Sequence, residues 1–372
     1  MDVVVTGIGL LSCLGSLIES WQSLQLGKSG IRLMQPFPEL PHYPLGMIGD
    51  TPANLNELTK IVVESALEDA GLEIPLIDSG VVIGSSRGCQ ATWENLATQY
   101  NPNSNWLDSL PHRGAVLTAR IIETTGPVLS PMAACATGIH AIARAYELIQ
   151  TGRCQRVIAG AIEAPITKLS LAGFERLGAL AKTGCYPFDK QREGLVLGEG
   201  GAVFVLESAT LAQTRNATIY GKILGFGLTC DAQGITAPES DSRSAAIAIK
   251  QCLERSNLTP DQVDYLHLHG TSTMLNDLHE ARLIRNLFPD QVPVSSTKGA
   301  TGHSLGASGA MGLAFCLMAL KSGYLPLCVG LNDLAFPLNA VTKPKKNDPQ
   351  TALCFSFGFG GQNAILAVGK YN

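Results

Sequence analysis

Short apolar runs that do not alternate with polar residues constrain this chain most. "DVVVTG", "SGVVIGSS", "RVIAGAIE", "GAVFVLES", "TIYGKILGFG", "DYLHLHG" and "AILAVG" are rich in small and branched apolar side chains. A strand with one wet face alternates, whereas a strand covered on both faces does not. Helical patterns lie between the runs: "ELTKIVVESALEDAGL", Ala136 to Thr151, "SRSAAIAIKQCLERSN", "DLHEARLIRNLF" and Leu305 to Ser322. Together they predict an α/β fold around a largely buried mixed or parallel sheet. Strand, helices and a glycine-rich turn beside polar residues recur in the same order, and "ATLAQTRNA" marks a boundary after "AVFVLES". At 372 residues the chain exceeds the usual size of one core. Two related halves, residues 1–212 and 213–372, are therefore expected. Pro36–Asn56 and Tyr100–Gly114 read as surface loops by their Pro, Asn and Ser content.

Charge and cysteine usage narrow the function. A formal net charge of −4 argues against nucleic-acid binding by bulk electrostatics. No run of about 18 uncharged apolar residues occurs, so no membrane span is expected. "LGASGAMGLAFCLMALKSG" comes nearest, and its Gly, Ala and Ser content reads as a buried helix. Asp2 stands where a basic leader segment would begin, so no signal peptide is expected. The 10 cysteines are scattered singly with no C-x-x-C pair, which fits neither a disulfide framework nor a zinc ribbon. A reducing, cytoplasmic setting without a metal follows as the expectation.

Four stretches carry candidate chemistry. In "SPMAACATGIHAIARAY", Cys135 stands among small residues immediately before a helical pattern. A free cysteine is by default core filler. At a helix N-terminus, unpaired N–H groups and the macrodipole favour the thiolate, which is the nucleophile. In "HLHGTSTMLNDLHE" a strand is expected to end at His269, followed by Thr271 and Thr273 in a polar turn. That is where α/β proteins usually place sites. His267 is either a competitor or a packed interior histidine, and His279, in a helix, reads as structural or exposed. In "VSSTKGATGHSLGASGA", Lys298 and His303 share a glycine-rich loop before a small-residue helix. The helix end biases that imidazole towards its neutral form, able to donate one hydrogen bond to an oxyanion. Taken alone, Lys298 reads as a solvated charge. In "CFSFGFGGQNAILAVG", glycines around Phe357 and Phe359 make a turn with exposed N–H groups, suited to an oxyanion hole, a gate, or an ordinary strand connection. The opening "VVVTGIGLLSCLG" has Gly7 and Gly9, but Ser12 replaces the third glycine of a dinucleotide turn. It reads as a tight strand-to-loop turn. One thiol, two imidazoles, a lysine and an N–H-rich loop suit acyl transfer followed by carbon–carbon bond formation.

These stretches, together with "YPFDKQREGLVLGEGGAVFVLES", resemble the condensing enzymes. The similarity is to β-ketoacyl-acyl carrier protein synthases of the elongating type I/II branch, in the thiolase-like superfamily. It implies a five-layered αβαβα sandwich of two duplicated halves, normally a homodimer. It implies that Cys135 is acylated, that His269 and His303 drive decarboxylation of malonyl-carrier protein, and that Lys298, paired with Glu280, sets the electrostatics around His303. By the same resemblance Thr271 and Thr273 bind the pantetheine arm. The N–H groups of Cys135 and Phe359 form the oxyanion hole, and Phe359 with Phe357 belongs to the gate. The substrate arrives on the phosphopantetheine arm of acyl carrier protein, with no resident cofactor.

Relatives differ at telling positions. The initiating branch has asparagine where this chain has His303, thiolases have a second cysteine near Phe359, and chain-length factors lack the cysteine. The chain is short for the family before its nucleophile. "GDTPANLNELTK" replaces the basic stretch that helps dock the carrier, and Arg87 stands where an apolar residue often gates the acyl pocket. Arg87 is thus expected to face solvent, meet an acid, or mark an unusual primer. A non-condensing acyltransferase or thioesterase, and a non-catalytic heterodimer partner, are the alternatives; a zinc module is more remote.

Overall fold

The computed structural model describes residues 1–98 and 106–371. The first half contributes β1 (Val3–Ser12), β2 (Gly80–Gly84), β3 (Val128–Leu129), β4 (Arg156–Glu163) and β5 (Gly200–Ser208). The second contributes β6 (Gly221–Cys230), β7 (Tyr265–His267), β8 (Pro293–Ser295), β9 (Thr351–Gly358) and β10 (Gln362–Gly369). From the middle of the molecule outward, the first half runs β1-β5-β4-β2-β3 and the second β6-β10-β9-β7-β8. Directions match step for step: two antiparallel pairings and then two parallel ones in each half. β1 and β6 join the halves, Val3 opposite Ile223. The repeat is thus explicit in topology where it is faint in sequence.

Helices make the other layers. α1 (Leu55–Asp69) covers the outer face of the first half, and α3 (Arg243–Ser256) with α4 (Met274–Leu287) that of the second. Between the two sheet halves lie α2 (Thr137–Gln150) and α5 (Ser308–Ser322), each touching strands of both halves. This is the five-layered αβαβα arrangement. α5 is buried at every position from Ser308 to Leu320, as a helix apolar on all its faces must be, and only its last two residues, Lys321 and Ser322, are exposed. Gly138 lets α2 and α5 meet: a Cβ there would lie 2.6 Å from the Ala310 nitrogen. The strands are continuous in apolar residues because helices cover both faces.

Two expectations change. Pro36–Asn56 is not simply a surface loop, for Tyr43–Leu45 pairs with Arg32–Met34. Tyr43, Leu45 and Met47 are buried in the cluster that contains Cys135. Apolar side chains at every second position outweigh the Pro and Asn content around them. Of Tyr100–Gly114, residues 100–105 lie outside the described residues; Trp106–Ser109 forms a 3-10 turn and a helix starts at Arg113.

Candidate active site

Cys135 lies on a bend, just ahead of α2. Ala134 has φ of 47°, a left-handed conformation unusual for a residue with a side chain. Thr137 locks the bend: its hydroxyl accepts from the Ala133 N–H at 2.9 Å and donates to the Ala134 carbonyl at 2.6 Å. From the other half, the Ser356 hydroxyl donates to the Cys135 carbonyl at 2.8 Å. Gly358 follows, and a Cβ there would lie 2.8 Å from the Ala133 carbonyl oxygen. That closeness brings the Phe359 N–H to bear on the thiol. The helix end does not hold Cys135 as a resting thiolate. Burial pushes the thiol up to about 11, and Lys298 and the Phe359 N–H only partly offset it.

The two histidines come from the second half. β7 ends at His267, so His269 sits two residues beyond the strand rather than at its end. A buried carboxylate fixes that turn: Glu280, on α4, accepts the N–H groups of His269 at 2.6 Å and Gly270 at 2.7 Å. Burial raises the Glu280 carboxyl to about 7, with those two N–H groups pulling it down. Lys298 opens a short helical turn, Lys298–Thr301, and does not bond Glu280 as the resemblance implied. Its ammonium instead donates to the His269 carbonyl and lies 3.5 Å from His269 Nδ1. The two charges still act on each other across the site, Glu280 raising the Lys298 pKa that burial lowers. An ammonium has no lone pair to offer, so Nδ1 faces it as an acceptor and the His269 proton belongs on Nε2.

His303 precedes α5, with its ring edge-on to that of His269 at 5.3 Å between centroids. Its Nδ1 is buried without a hydrogen-bond partner. Burial and then the Lys298 charge hold both imidazoles well below the usual histidine range. Both are neutral at physiological pH, and each can donate one hydrogen bond.

Cys135, His269 and His303 open on one cavity of about 390 Å³, with Thr271, Thr273, Phe357 and Phe359 also in its wall. Thr271 and Thr273 face each other at 2.9 Å between hydroxyl oxygens. Phe357 packs edge-on to His269 at 5.8 Å. Arg87 is outside this wall: it is exposed, and its guanidinium lies over Phe174, 5.5 Å from the ring centroid. Phe174 in turn lies against Phe359, which leaves Arg87 one aromatic layer from the cavity. His267 is the packed histidine, buried with Nε2 3.2 Å from the Thr297 hydroxyl. His279 is half-buried in the cavity wall, which its helical position alone did not indicate. Sequence reasoning also passed over Glu163, whose only signal is an acid closing the apolar run "RVIAGAIE". Among the described residues no group of three His, Cys, Asp or Glu side chains is placed to hold a metal ion.

This geometry has close parallels. Residues 54–212 match the family described as Beta-ketoacyl synthase, N-terminal domain, and residues 220–332 its C-terminal domain. The chain is 33% identical to 3-oxoacyl-[acyl-carrier-protein] synthase 2 of Coxiella burnetii, over an alignment that covers 99% of this chain and 98% of that protein. It is 34% identical to the Synechocystis sp. protein of the same name, with the same coverage. Among solved structures, a ketosynthase complex described as a type II PKS acyl-carrier protein with its ketosynthase bound to the hexaketide matches with a TM-score of 0.94. That match is at 27% identity and covers 100% of this chain and 99% of the other. A beta-ketoacyl synthase from Burkholderia phymatum matches with a TM-score of 0.91 at 28% identity, covering 100% of both chains. The fold is the thiolase-like one of ketosynthases, and the chain belongs to the beta-ketoacyl synthase family.

Proposed function

We propose that this protein is a 3-oxoacyl-[acyl-carrier-protein] synthase, an acyltransferase that condenses a Cys135-bound acyl group with malonyl-acyl carrier protein. The observation that carries this reading is one thiol and two neutral imidazoles on one cavity. In the first step the Cys135 sulfur attacks the thioester of an acyl-carrier protein. The acyl–pantetheine C–S bond breaks and a Cys135 thioester forms. The step is proton-neutral, because the thiol proton of Cys135 ends on the released pantetheine sulfur. Burial holds the resting group as the thiol, so it must ionise as it attacks, and the leaving sulfur takes that proton.

In the second step malonyl-carrier protein loses carbon dioxide, and the electron pair of that bond becomes an enolate. His269 Nε2–H and an N–H of His303 hydrogen-bond the enolate oxygen. Neutral donors fit this task because they stabilise the oxyanion without protonating it outright. The enolate carbon then attacks the Cys135 thioester, whose oxyanion takes the N–H groups of Cys135 and Phe359. Cys135 leaves and regains a proton from solvent. Thr271 and Thr273 hold the pantetheine arm in the mouth, and Lys298 keeps the imidazoles neutral.

The same reading makes the protein a homodimer serving fatty-acid or polyketide-like lipid synthesis in the cytoplasm. Among the described residues the outer edge of β3 has no strand partner, and Val128 in it and Met132 just beyond it are exposed, which supports self-association; 10 unpaired cysteines support a reducing compartment. The test supplies an acyl-carrier protein and malonyl-carrier protein and follows both products. One carbon dioxide released per 3-oxoacyl-carrier protein formed is expected. Free acid without carbon dioxide would instead establish a hydrolase on this fold.

A further inference from the structure

We propose that Glu163 is a positioning residue for acyl transfer, a buried carboxylate that clamps the turn beside Cys135 to the turn after His303. Glu163 is the last residue of β4 and is fully buried. Everything bonded to it donates: the N–H groups of Ser86, of Arg87 at 3.3 Å and of Gly306 at 3.2 Å, and the Ser85 hydroxyl at 3.0 Å. No cation lies within ion-pair distance among the described residues. Burial raises the Glu163 carboxyl, and the hydrogen bonds from Ser85, Ser86 and Arg87 pull it back down; the three backbone N–H groups can only donate, which favours the ionised form.

The donors come from both halves. Ser85, Ser86 and Arg87 follow β2, whereas Gly306 lies three residues beyond His303 in the turn Leu305–Ala307. The packing there has no slack. A Cβ on Gly306 would lie 2.6 Å from Glu163 Oε1, and a Cβ on Gly138, three residues beyond Cys135, would lie 3.1 Å from the Gly306 oxygen. Leu305 is held at φ of 42°, a left-handed conformation that needs outside support. Glu163 therefore ties the turn Ser85–Arg87 of the first half to the turn just after His303; the first turn follows Gly84, where a Cβ would lie 2.4 Å from Thr137 Cγ2, and the second packs on the helix that follows Cys135. Its charge also opposes ionisation of the Cys135 thiol.

This inference rests on Cys135 being the acyl-accepting thiol. Three variants separate charge from reach. Glu163→Gln removes the charge and turns an amide N–H₂ towards N–H donors; Glu163→Asp keeps the charge and shortens the arm; Ser85→Ala deletes one donor. Acylation of Cys135 is expected to slow about 10²-fold in the first two, as for a misplacement near 1 Å. It should slow about 5-fold in the third, near the net worth of one hydrogen bond. The pH profile of Cys135 alkylation, read on its own peptide because Cys230 is exposed, moves to lower pH in Glu163→Gln and stays put in Glu163→Asp. Wild-type rates, or losses that only track the folded fraction by circular dichroism, overturn the proposal. If both Glu163 variants fail to fold, Ser85→Ala decides it, a wild-type rate overturning it. An acyl label that persists in Cys135→Ala overturns the reading of the thiol instead.

Discussion

The two halves of this protein share a strand order and differ in what they place at the strand ends. In the first half the turn after β2 holds Ser85, Ser86 and Arg87, and the loop before α2 holds the thiol. In the second half the turn after β7 holds His269, and the loop before α5 holds Lys298 and His303. Each turn is fixed by a buried carboxylate that accepts its N–H groups, Glu163 in one half and Glu280 in the other. The carboxylates come from different elements, a strand in the first half and a helix in the second. The scaffold is repeated while the proposed chemistry is divided: in the reaction proposed above, one half holds the acyl group and the other governs charge in the partner substrate.

His303→Ala breaks the division most sharply. Loss of one oxyanion donor is expected to slow malonyl decarboxylation about 10²- to 10³-fold. Acylation of Cys135 should be largely unchanged, read as mass gain from acyl-carrier protein without malonyl donor. Equal loss in both steps would mean that the halves do not divide the labour.

Lys298→Met tests the buried positive charge that the second half places beside the two imidazoles. The working imidazoles are neutral, and protonation silences them as pH falls through their pKa. Burial and Lys298 both hold that pKa down, so removing the ammonium lets it rise. The acid limb of decarboxylation therefore moves to higher pH, with a loss of about 10-fold for each unit the limb overtakes the assay pH. An unmoved limb would leave Lys298 with a purely structural part.

Much of this was legible in the sequence. Continuous apolar runs announced covered strands, and the Gly, Ala and Ser content of the apolar run Leu305–Leu320 announced its burial between the layers. Cys135, His269 and His303 were each recognisable from small or glycine-rich neighbours at an element's end. Other features depended on distances between segments far apart in the chain. Nothing local shows that Lys298 bonds the His269 carbonyl rather than Glu280, or that Glu163 reaches across to Gly306. The thiol's ionisation departs from what its neighbours in sequence imply for a similar reason. The helix end is local and visible in sequence, whereas the burial that outweighs it is tertiary. Tyr43–Met47 was hidden by the prolines around it, although its alternation was present.

The central claim is that Cys135 carries the acyl group. Intact mass after incubation with a panel of acyl-carrier proteins tests it most directly. The wild-type protein should gain the mass of one acyl group, which also identifies the primer, and the Cys135→Ala protein should gain none. The same mass gain in Cys135→Ala would contradict the account.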